Sequence, residues 1–595
     1  MTDVEKECEK KLENVENGED LNNPYAYLDR EDFTSEKFKI LVGGLPKYYG
    51  IKQFKKLLNE KLNLQTCKIK PLNSKNNWIF VNFRNEEARE HGLNTINGMT
   101  WKNCKLTAKK AKAAPDPYIK RKLQDDDRNS KRFKGDEDND QEQKEESLSV
   151  LDLIKSSTIP LWNVPYETQL SMKQDQMRSI IVKIGQQIAK ANSELIGWIG
   201  KQRAVNNGLI CELKPILSAK VTEGYRNKCE FTIGKNENEI LIGFRLSSYA
   251  AGSTAVGPID HLCHIPERMK VAVKIFQKFV RDSKLDVYDP VNHKGFWNQV
   301  TARATRLGHL MLIIGVYPKN LPADSSFDEL VDKITKFFEE GEGKDAKVTS
   351  LYIQTMGISS AEGENHKQER QGPIKHLSGS LHIEESLMGL KFRISPQAFF
   401  QINSQGAEIL YQAAIDLAQC DKENTSLLDI CCGTGTIGLC FAQHCSEVLG
   451  IEIVNDAIND AKENAKQNNI NNCEFFVGKA ESVIKPVIHR TSKENIIAVV
   501  DPPRAGLHHE ALLALRKTNK VKKVLYVSCD PKAAMKNLVD LARPISKQYL
   551  GEPLVPVKAI PVDMFPMTNH CELIILLERL SATKSYSDIK TDTCE

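Results

Sequence analysis

Cys529 stands between a short apolar run, Val524 to Ser528, and a segment opening Asp530-Pro531 that reads as the start of a helix. A thiol at a strand-to-helix junction lies near unpaired N–H groups and the positive helix end, which favour thiolate, the form that attacks carbon. Upstream, Leu427 to Gly438 runs an apolar strand into the turn Gly433-Thr434-Gly435 and then an apolar helix. Glycines let such a backbone turn tightly and approach a ligand at the carboxyl end of a strand, where open α/β sheets bind. A loop of this kind holds S-adenosylmethionine. Nucleophile and methyl donor in one site point to methylation of a carbon that is inert until something adds to its neighbour, as at C5 of a pyrimidine.

Alone, the glycine loop fits a structural turn or a nicotinamide site equally well. The next strand, Val448 to Ile451, ends in Glu452, about twenty residues on, where an acid can grip both hydroxyls of a ribose. The following helix has Ala457, Ile458, Ala461 and Ala465 on one face and completes a β-α-β unit. Asp429 either orients the loop, meets the amino-acid end of the donor, or only caps the turn. A further strand, Ile496 to Val500, delivers Asp501-Pro502-Pro503-Arg504. Paired prolines rigidify that loop and leave few competing donors, so Asp501 can be presented to cofactor or base. Methyltransferases acting on exocyclic amines often carry an aromatic after the second proline, and enzymes making 5-methylcytosine a cysteine. Here the residue is Arg504.

Two more stretches complete the set: Asp563 to Glu572, reading DMFPMTNHCE before the apolar strand Leu573 to Leu577, and Arg393 to Asn403, reading RISPQAFFQIN. With Val527-Ser528-Cys529-Asp530-Pro531 and the loops above, the chain resembles the RNA uracil-5-methyltransferase family over residues 148–580. Within it, the resemblance is to the eukaryotic tRNA branch that joins a recognition motif to the catalytic domain. The resemblance implies S-adenosylmethionine as cofactor, contacted by Gln401, with Asp429, Gly433, Gly435, Glu452 and Asp501 lining its site. It implies that Cys529 adds to C6 of uracil and that Glu572 is the base that then removes the C5 proton. The substrate it implies is tRNA, at the T-loop uridine. One departure is Cys431, where relatives often have Tyr beside the glycine loop; another is the absence of the clustered cysteines of iron-sulfur relatives that modify ribosomal RNA. No metal or iron-sulfur cluster is therefore expected, and tRNA is favoured over rRNA. Two alternatives stay open: an rRNA uridine methyltransferase, and an RNA-binding or tRNA-folding factor with secondary catalysis.

These residues need a doubly wound parallel sheet to position them, and from Arg393 onward strand and helix alternate regularly. The expected fold class is α/β: a Rossmann-like S-adenosylmethionine-dependent methyltransferase domain at 393–580, a mixed α+β middle region at 148–392, and an N-terminal ferredoxin-like recognition motif at 37–112. In the middle region, Gly208 to Phe244 reads as strands with turns, Met269 to Val280 as a helix and Leu310 to Val316 as a buried strand. An acidic head (1–36), a charged linker (113–147) with almost nothing apolar, and a tail (581–595) complete the chain.

In the N-terminal unit, strands at Lys39 to Leu45 and Trp78 to Phe83 alternate with helices near Ile51 to Leu62 and Asn85 to Ile96. Trp78 and Phe80 are the rings available to stack bases, although Asn76 and Asn77 replace the basic residue and glycine of the longer sheet signature and Leu41 occupies the ring position of the shorter one. These rings either meet RNA or belong to a core or a protein contact. Tyr225-Arg226-Asn227-Lys228, together with Arg303 and Arg306, either hold RNA phosphate, Arg226 and Lys228 foremost, or are surface charge.

Net charge is only +4 over 595 residues, so attraction to nucleic acid must come from local patches. The fifteen cysteines are scattered without CxxC pairs and read as reduced intracellular thiols. The acid-rich start is unlike a mitochondrial transit peptide, and no run is long and apolar enough to span a bilayer. The expected location is cytosol, nucleus or both. Lys120-Arg121-Lys122 and Lys131-Arg132-Phe133-Lys134 read as a solvated basic linker, with nuclear import or RNA contact as the alternative.

Overall fold

The computed structural model describes residues 23–28, 34, 36–46, 50–71, 77–117, 119–120, 149–247, 254–357 and 371–583. The acidic head, the tail and most of the charged linker, including Lys131 to Lys134, lie largely outside them. The chain divides into two compact units, Met1–Glu146 with Ser247–Thr254, and Ser147–Leu246 with Ala255–Glu595.

In the first unit the order is β1 (Lys39–Gly43), α1 (Ile51–Lys56), β2 (Lys68–Pro71), β3 (Ile79–Asn82), α2 (Glu86–Ile96) and β4 (Thr107–Lys110). The sheet order β2-β3-β1-β4, antiparallel throughout, is that of a ferredoxin-like recognition motif. The helix read from Ile51 to Leu62 is α-helical only to Lys56, after which a π-helical turn carries it to Lys61. Asn85 caps α2 by accepting from the Ala88 N–H at 2.8 Å, which fixes where the helix starts. Alternation along β1 and β3 buries Ile40, Val42, Ile79 and Val81 against the helices and turns Leu41 and Phe80 to the opposite face.

The second unit holds two large sheets. After α3 (Tyr166–Ala191) and β5 (Glu212–Leu213) come β6 (Lys228–Asn236), β7 (Glu239–Arg245), β8 (Val256–Gly257), α4 (Glu267–Asp282), β9 (Trp297–Ala304), β10 (Leu310–Val316), α5 (Phe327–Glu339), β11 (Ser350–Met356) and β12 (Gln371–Gly379). Strands β6 to β12 form a seven-stranded sheet in the order β8-β7-β6-β9-β10-β11-β12. Every residue of β10 is buried, as its unbroken apolar run requires.

A hairpin, β13 (Ile383–Leu387) and β14 (Leu390–Ile394), leads into α6 (Ser404–Ala418). There follow β15 (Thr425–Ile430), α7 (Thr436–Phe441), β16 (Glu447–Glu452), α8 (Asn455–Gln467), β17 (Cys473–Val477), α9 (Ala480–Arg490), β18 (Asn495–Val500), α10 (His509–Lys517), β19 (Val521–Ser528), α11 (Pro531–Leu541), β20 (Leu554–Val562) and β21 (Glu572–Arg579). The eight-stranded sheet runs β17-β16-β15-β18-β19-β21-β20-β5, with β21 antiparallel to both neighbours. Its core also takes in Met177, Ile181, Ile188 and Cys211, so elements far upstream of residue 393 pack on this sheet. Among the described residues no helix is long and apolar enough to cross a membrane.

Candidate active site

Strand order reverses between β15 and β18, and a doubly wound sheet opens a crevice at the carboxyl ends of strands flanking such a point. Six of the expected residues fall on that edge because of where their strands stop or start. Glu452 ends β16, while Gly433 and Gly435 lie in the turn after β15. Asp501 follows β18 and Cys529 follows β19. Glu572 opens β21, which runs the other way and so begins at the same edge.

The glycine loop is held from both ends. Asp429 is fully buried in β15, and its Oδ2 accepts the Gly438 N–H at 2.8 Å, so it orients the loop by fixing the first turn of α7. Its Oδ1 is buried without a hydrogen-bond partner. Glu452 Oε2 accepts from Gly433 N at 3.1 Å, and its Oε1 accepts from Ile453 N and Val454 N at 2.8 and 3.0 Å. Gly433 and Gly435 have φ of +55° and +78°, and a Cβ on Gly433 would meet nothing within 4 Å, so the backbone there faces open space. Cys431 takes a φ of +66°, a left-handed conformation unusual for a residue with a Cβ.

The charge balance of the crevice is acid-rich. Burial pushes Asp429 up to about 7, helped by the charges of Asp501 and Glu452. Burial alone pushes Asp501 up to about 7. Glu572, 4% exposed, is pushed up to about 8 by burial and by Asp501. Packed acids that lack counter-charges favour a cationic ligand. An unpartnered carboxylate oxygen, an open glycine turn and an acid beside it fit a nucleoside carrying a sulfonium and an ammonium group, as in S-adenosylmethionine.

Cys529 corrects one expectation. Its thiol is half-buried and held above its ordinary value, by burial first, then by the charge of Glu572; a hydrogen bond from Arg504 works the other way and is outweighed. The helix end does not tip the balance because its amides are already taken: Asp530 Oδ1 accepts from Lys532 N and Ala533 N, both at 3.2 Å. Arg504, read from sequence only as a departure from other methyltransferases, is thus the cation that reaches the thiol.

Gln401 is 9% exposed in the segment between β14 and α6. Its backbone carbonyl accepts from Asn227 Nδ2 at 3.0 Å, and Asn227 N donates to Ile402 O at 2.7 Å. Arg303, expected either on phosphate or at the surface, is instead 5% exposed and donates to Ala398 O and Phe400 O at 3.3 and 3.0 Å. It braces the Gln401 segment from β9. Arg306 is committed to Glu408 and Glu385. Tyr225 is buried, with its hydroxyl donating to Pro566 O at 2.9 Å, and Lys228 pairs with Glu230 at 3.1 Å. Arg226 is half-buried, its backbone N–H bonded to His264 O at 3.0 Å, and its charge reaches His570. Sequence reasoning missed Asn464, whose Nδ2 donates to Thr434 O at 3.1 Å while its Oδ1 accepts from Arg393 N at 2.7 Å, joining the glycine loop to β14. Helical spacing alone marks Asn464 as one more polar residue of α8.

In the N-terminal unit, Trp78 and Phe80 meet edge to face with centroids 5.3 Å apart, and Lys39 Nζ lies 4.6 Å from the Phe80 ring centroid. Leu41 is the register partner of Phe80 on β1.

Sheet order, reversed β21 and an acid-lined glycine turn define a Rossmann-like methyltransferase. The same fold is seen in the solved structure of Pyrococcus abyssi tRNA (uracil-54, C5)-methyltransferase in complex with S-adenosyl-L-homocysteine, with a TM-score of 0.50 at 23% identity over 70% of this chain and 84% of that one. Residues 364–580 match the family described as tRNA (Uracil-5-)-methyltransferase. The chain is 38% identical to tRNA (uracil-5-)-methyltransferase homolog A of Mus musculus over 93% of this chain and 86% of the relative. The Homo sapiens homolog A is 36% identical over 93% of this chain and 85% of the relative. The chain belongs to the tRNA (uracil-5-)-methyltransferase family.

Proposed function

We propose that this enzyme forms 5-methyluridine in the T-loop of tRNA through a covalent adduct between Cys529 and C6 of the target uracil. The observation that carries the reading is the convergence of Cys529 and Glu572 on the edge of the sheet that also bears Asp429, Glu452 and Asp501. The Pyrococcus relative, by its name, acts on uracil-54, which supports the same position here.

Bound in the crevice, S-adenosylmethionine supplies an electrophilic methyl group on a positive sulfur. Gln401, Asp429, Gly433, Gly435, Glu452 and Asp501 would hold it. Asp429, Asp501 and Glu572, whose carboxyls burial pushes above the ordinary range, ionise more readily beside a cation. Arg504 favours the thiolate of Cys529, which adds to C6 and sends the electron pair of the C5–C6 double bond toward C5 and O4. C5, now electron-rich, would take the methyl group as its bond to the positive sulfur breaks and a neutral thioether leaves, and C5 still carries its own proton. Glu572 removes that proton, the double bond reforms, and the bond from C6 to Cys529 breaks. The uridine must leave its stack to reach the thiol, and Arg226, half-buried and with its charge felt at His570, is the cation assigned to RNA phosphate in this reading. Trp78 and Phe80, with Lys39 beside them, offer the N-terminal unit a stacking surface for tRNA. Residues 37–112, 148–392 and 393–580 then divide as recognition, substrate-positioning and catalytic regions, working in cytosol or nucleus.

The test is incubation with S-adenosylmethionine and tRNA carrying 5-fluorouridine, from which no C5 proton can be removed. A denaturation-stable protein–tRNA adduct, absent from Cys529→Ala, is expected. A wild-type protein that methylates tRNA yet yields no such adduct would overturn the covalent route.

A further inference from the structure

The segment that leads into Glu572 is anchored by a residue 390 positions away in sequence. In the pairing of β20 with β21, Glu572 faces Val562, so Asp563 is the first residue past its register partner. Lys173 on α3 reaches that residue: Nζ lies 2.7 Å from Asp563 Oδ1 and donates to Phe565 O at 3.0 Å. Both side chains are buried, at 1% and 0% exposure. One turn earlier on the same helix face, Gln169 Oε1 accepts from Met567 N at 2.7 Å. Tyr225 takes Pro566 O, and Asn403 Nδ2 donates to Met564 O at 2.9 Å. Every residue from Asp563 to Met567 is thereby tied to something outside the β20–β21 connection.

A buried ion pair is a weak means of stabilising a fold, since desolvation offsets the attraction and an apolar pair of similar volume does as well or better. What an ion pair adds is direction, and Asp563 also accepts from Phe565 N at 3.1 Å, so the pair fixes the shape of the turn as well as its location. We propose that Lys173, acting through Asp563, is a positioning residue that sets the connection between β20 and β21 so that the Glu572 carboxylate faces the C5 proton of the adduct. The proposal rests on the reading of Glu572 as the base.

The experiment compares Glu572→Gln, Lys173→Met, Lys173→Arg and the double variant Lys173→Met/Asp563→Leu, all full length, with tRNA and S-adenosylmethionine. Three quantities are read: kcat and KM for both substrates, covalent protein–tRNA adduct on denaturing gels, and folding by circular dichroism. If proton removal is impaired, the methylated adduct accumulates. Lys173→Met and the folded double variant are expected to accumulate it as Glu572→Gln does, with kcat down about tenfold or more, KM values little changed, and partial recovery in Lys173→Arg. The apolar double variant removes the charges without stranding either one, so it separates positioning from folding. A folded double variant with wild-type kcat and no trapped adduct would overturn the proposal, as would a loss confined to donor KM. Failure of Glu572→Gln to trap adduct would instead sink the reading of the base itself.

Discussion

Cys529 and Glu572 sit immediately beyond and immediately before the last rung of the β19–β21 pair, in which Ser528 faces Leu573. The antiparallel insertion of β21 is what makes this possible, because it brings the start of one strand to the edge where the other ends. The proposed nucleophile and base are thereby set at the ends of adjacent strands of one sheet. Their charges are coupled: an ionised Glu572 holds the Cys529 thiol up, and Asp501 acts on both in the same direction.

That coupling sets the pH dependence. In the proposed mechanism the base works as carboxylate and the nucleophile as thiolate, and both forms gain as pH rises. With Glu572 pushed up to about 8 and the Cys529 thiol held above its ordinary value, single-turnover methylation is expected to climb steeply from pH 6 to about 8 and then to keep rising more shallowly as the thiol ionises. In Asp501→Asn the repulsion is gone, so the acid limb should move to lower pH even where donor affinity falls. Rates at saturating donor across pH 5.5 to 9.5, taken at about half-unit steps, would check this; an unmoved limb in Asp501→Asn would refute it.

Stability should respond with the opposite sign. Between the ordinary carboxylate range and about 8, an unfolded chain has lost the Glu572 proton while the folded one keeps it, so folding stability falls as pH rises through that window. Asp429 adds to this up to about 7. Thermal unfolding of the ligand-free protein should therefore show a higher Tm near pH 5 than near pH 8, relative to Glu572→Gln, in which the contribution of this carboxyl is absent.

Arg504 is expected to tune the thiol. Replacing it with Ala leaves burial and the two carboxylates unopposed, which raises the Cys529 pKa further. Alkylation of Cys529 by iodoacetamide, followed by peptide mass spectrometry, should slow several-fold at pH 8 and recover at higher pH. Equal rates in the two proteins would remove Arg504 from this role.

Arg303 is expected to bear on the donor. Its guanidinium holds the carbonyls of Ala398 and Phe400, flanking the Gln401 segment, and hydrogen bonds from charged groups contribute about 1.5–3 kcal/mol each. Arg303→Met should weaken S-adenosylhomocysteine binding about tenfold or more by calorimetry, with the affinity of the N-terminal unit for RNA unchanged.

For the N-terminal unit, Phe80→Ala should weaken tRNA binding by roughly 1–3 kcal/mol, the range for one base–aromatic stack, without altering donor affinity. Filter binding of tRNA and calorimetry of the donor separate the two effects.

Much of this protein was legible in its sequence because local chemistry and periodicity carry it. The glycine turn, the acid ending β16, the proline pair after β18 and the thiol after β19 are each read from a strand and the few residues that follow it. A parallel sheet guarantees that such residues share one edge. The boundaries of α2 and α11 follow from Asn85 and Asp530, whose side chains satisfy amides of their own first turns. The sequence by itself determined which residues can do the chemistry. Tertiary structure decided how their charges balance and which distant segments meet beside them: burial raised the acids and the thiol against the local helix end, Arg303 turned from a candidate phosphate ligand into a buried brace, and Lys173 met Asp563 across 390 residues. Those outcomes depend on solvent exclusion and on contacts between distant segments, and neither has a signature in residue spacing.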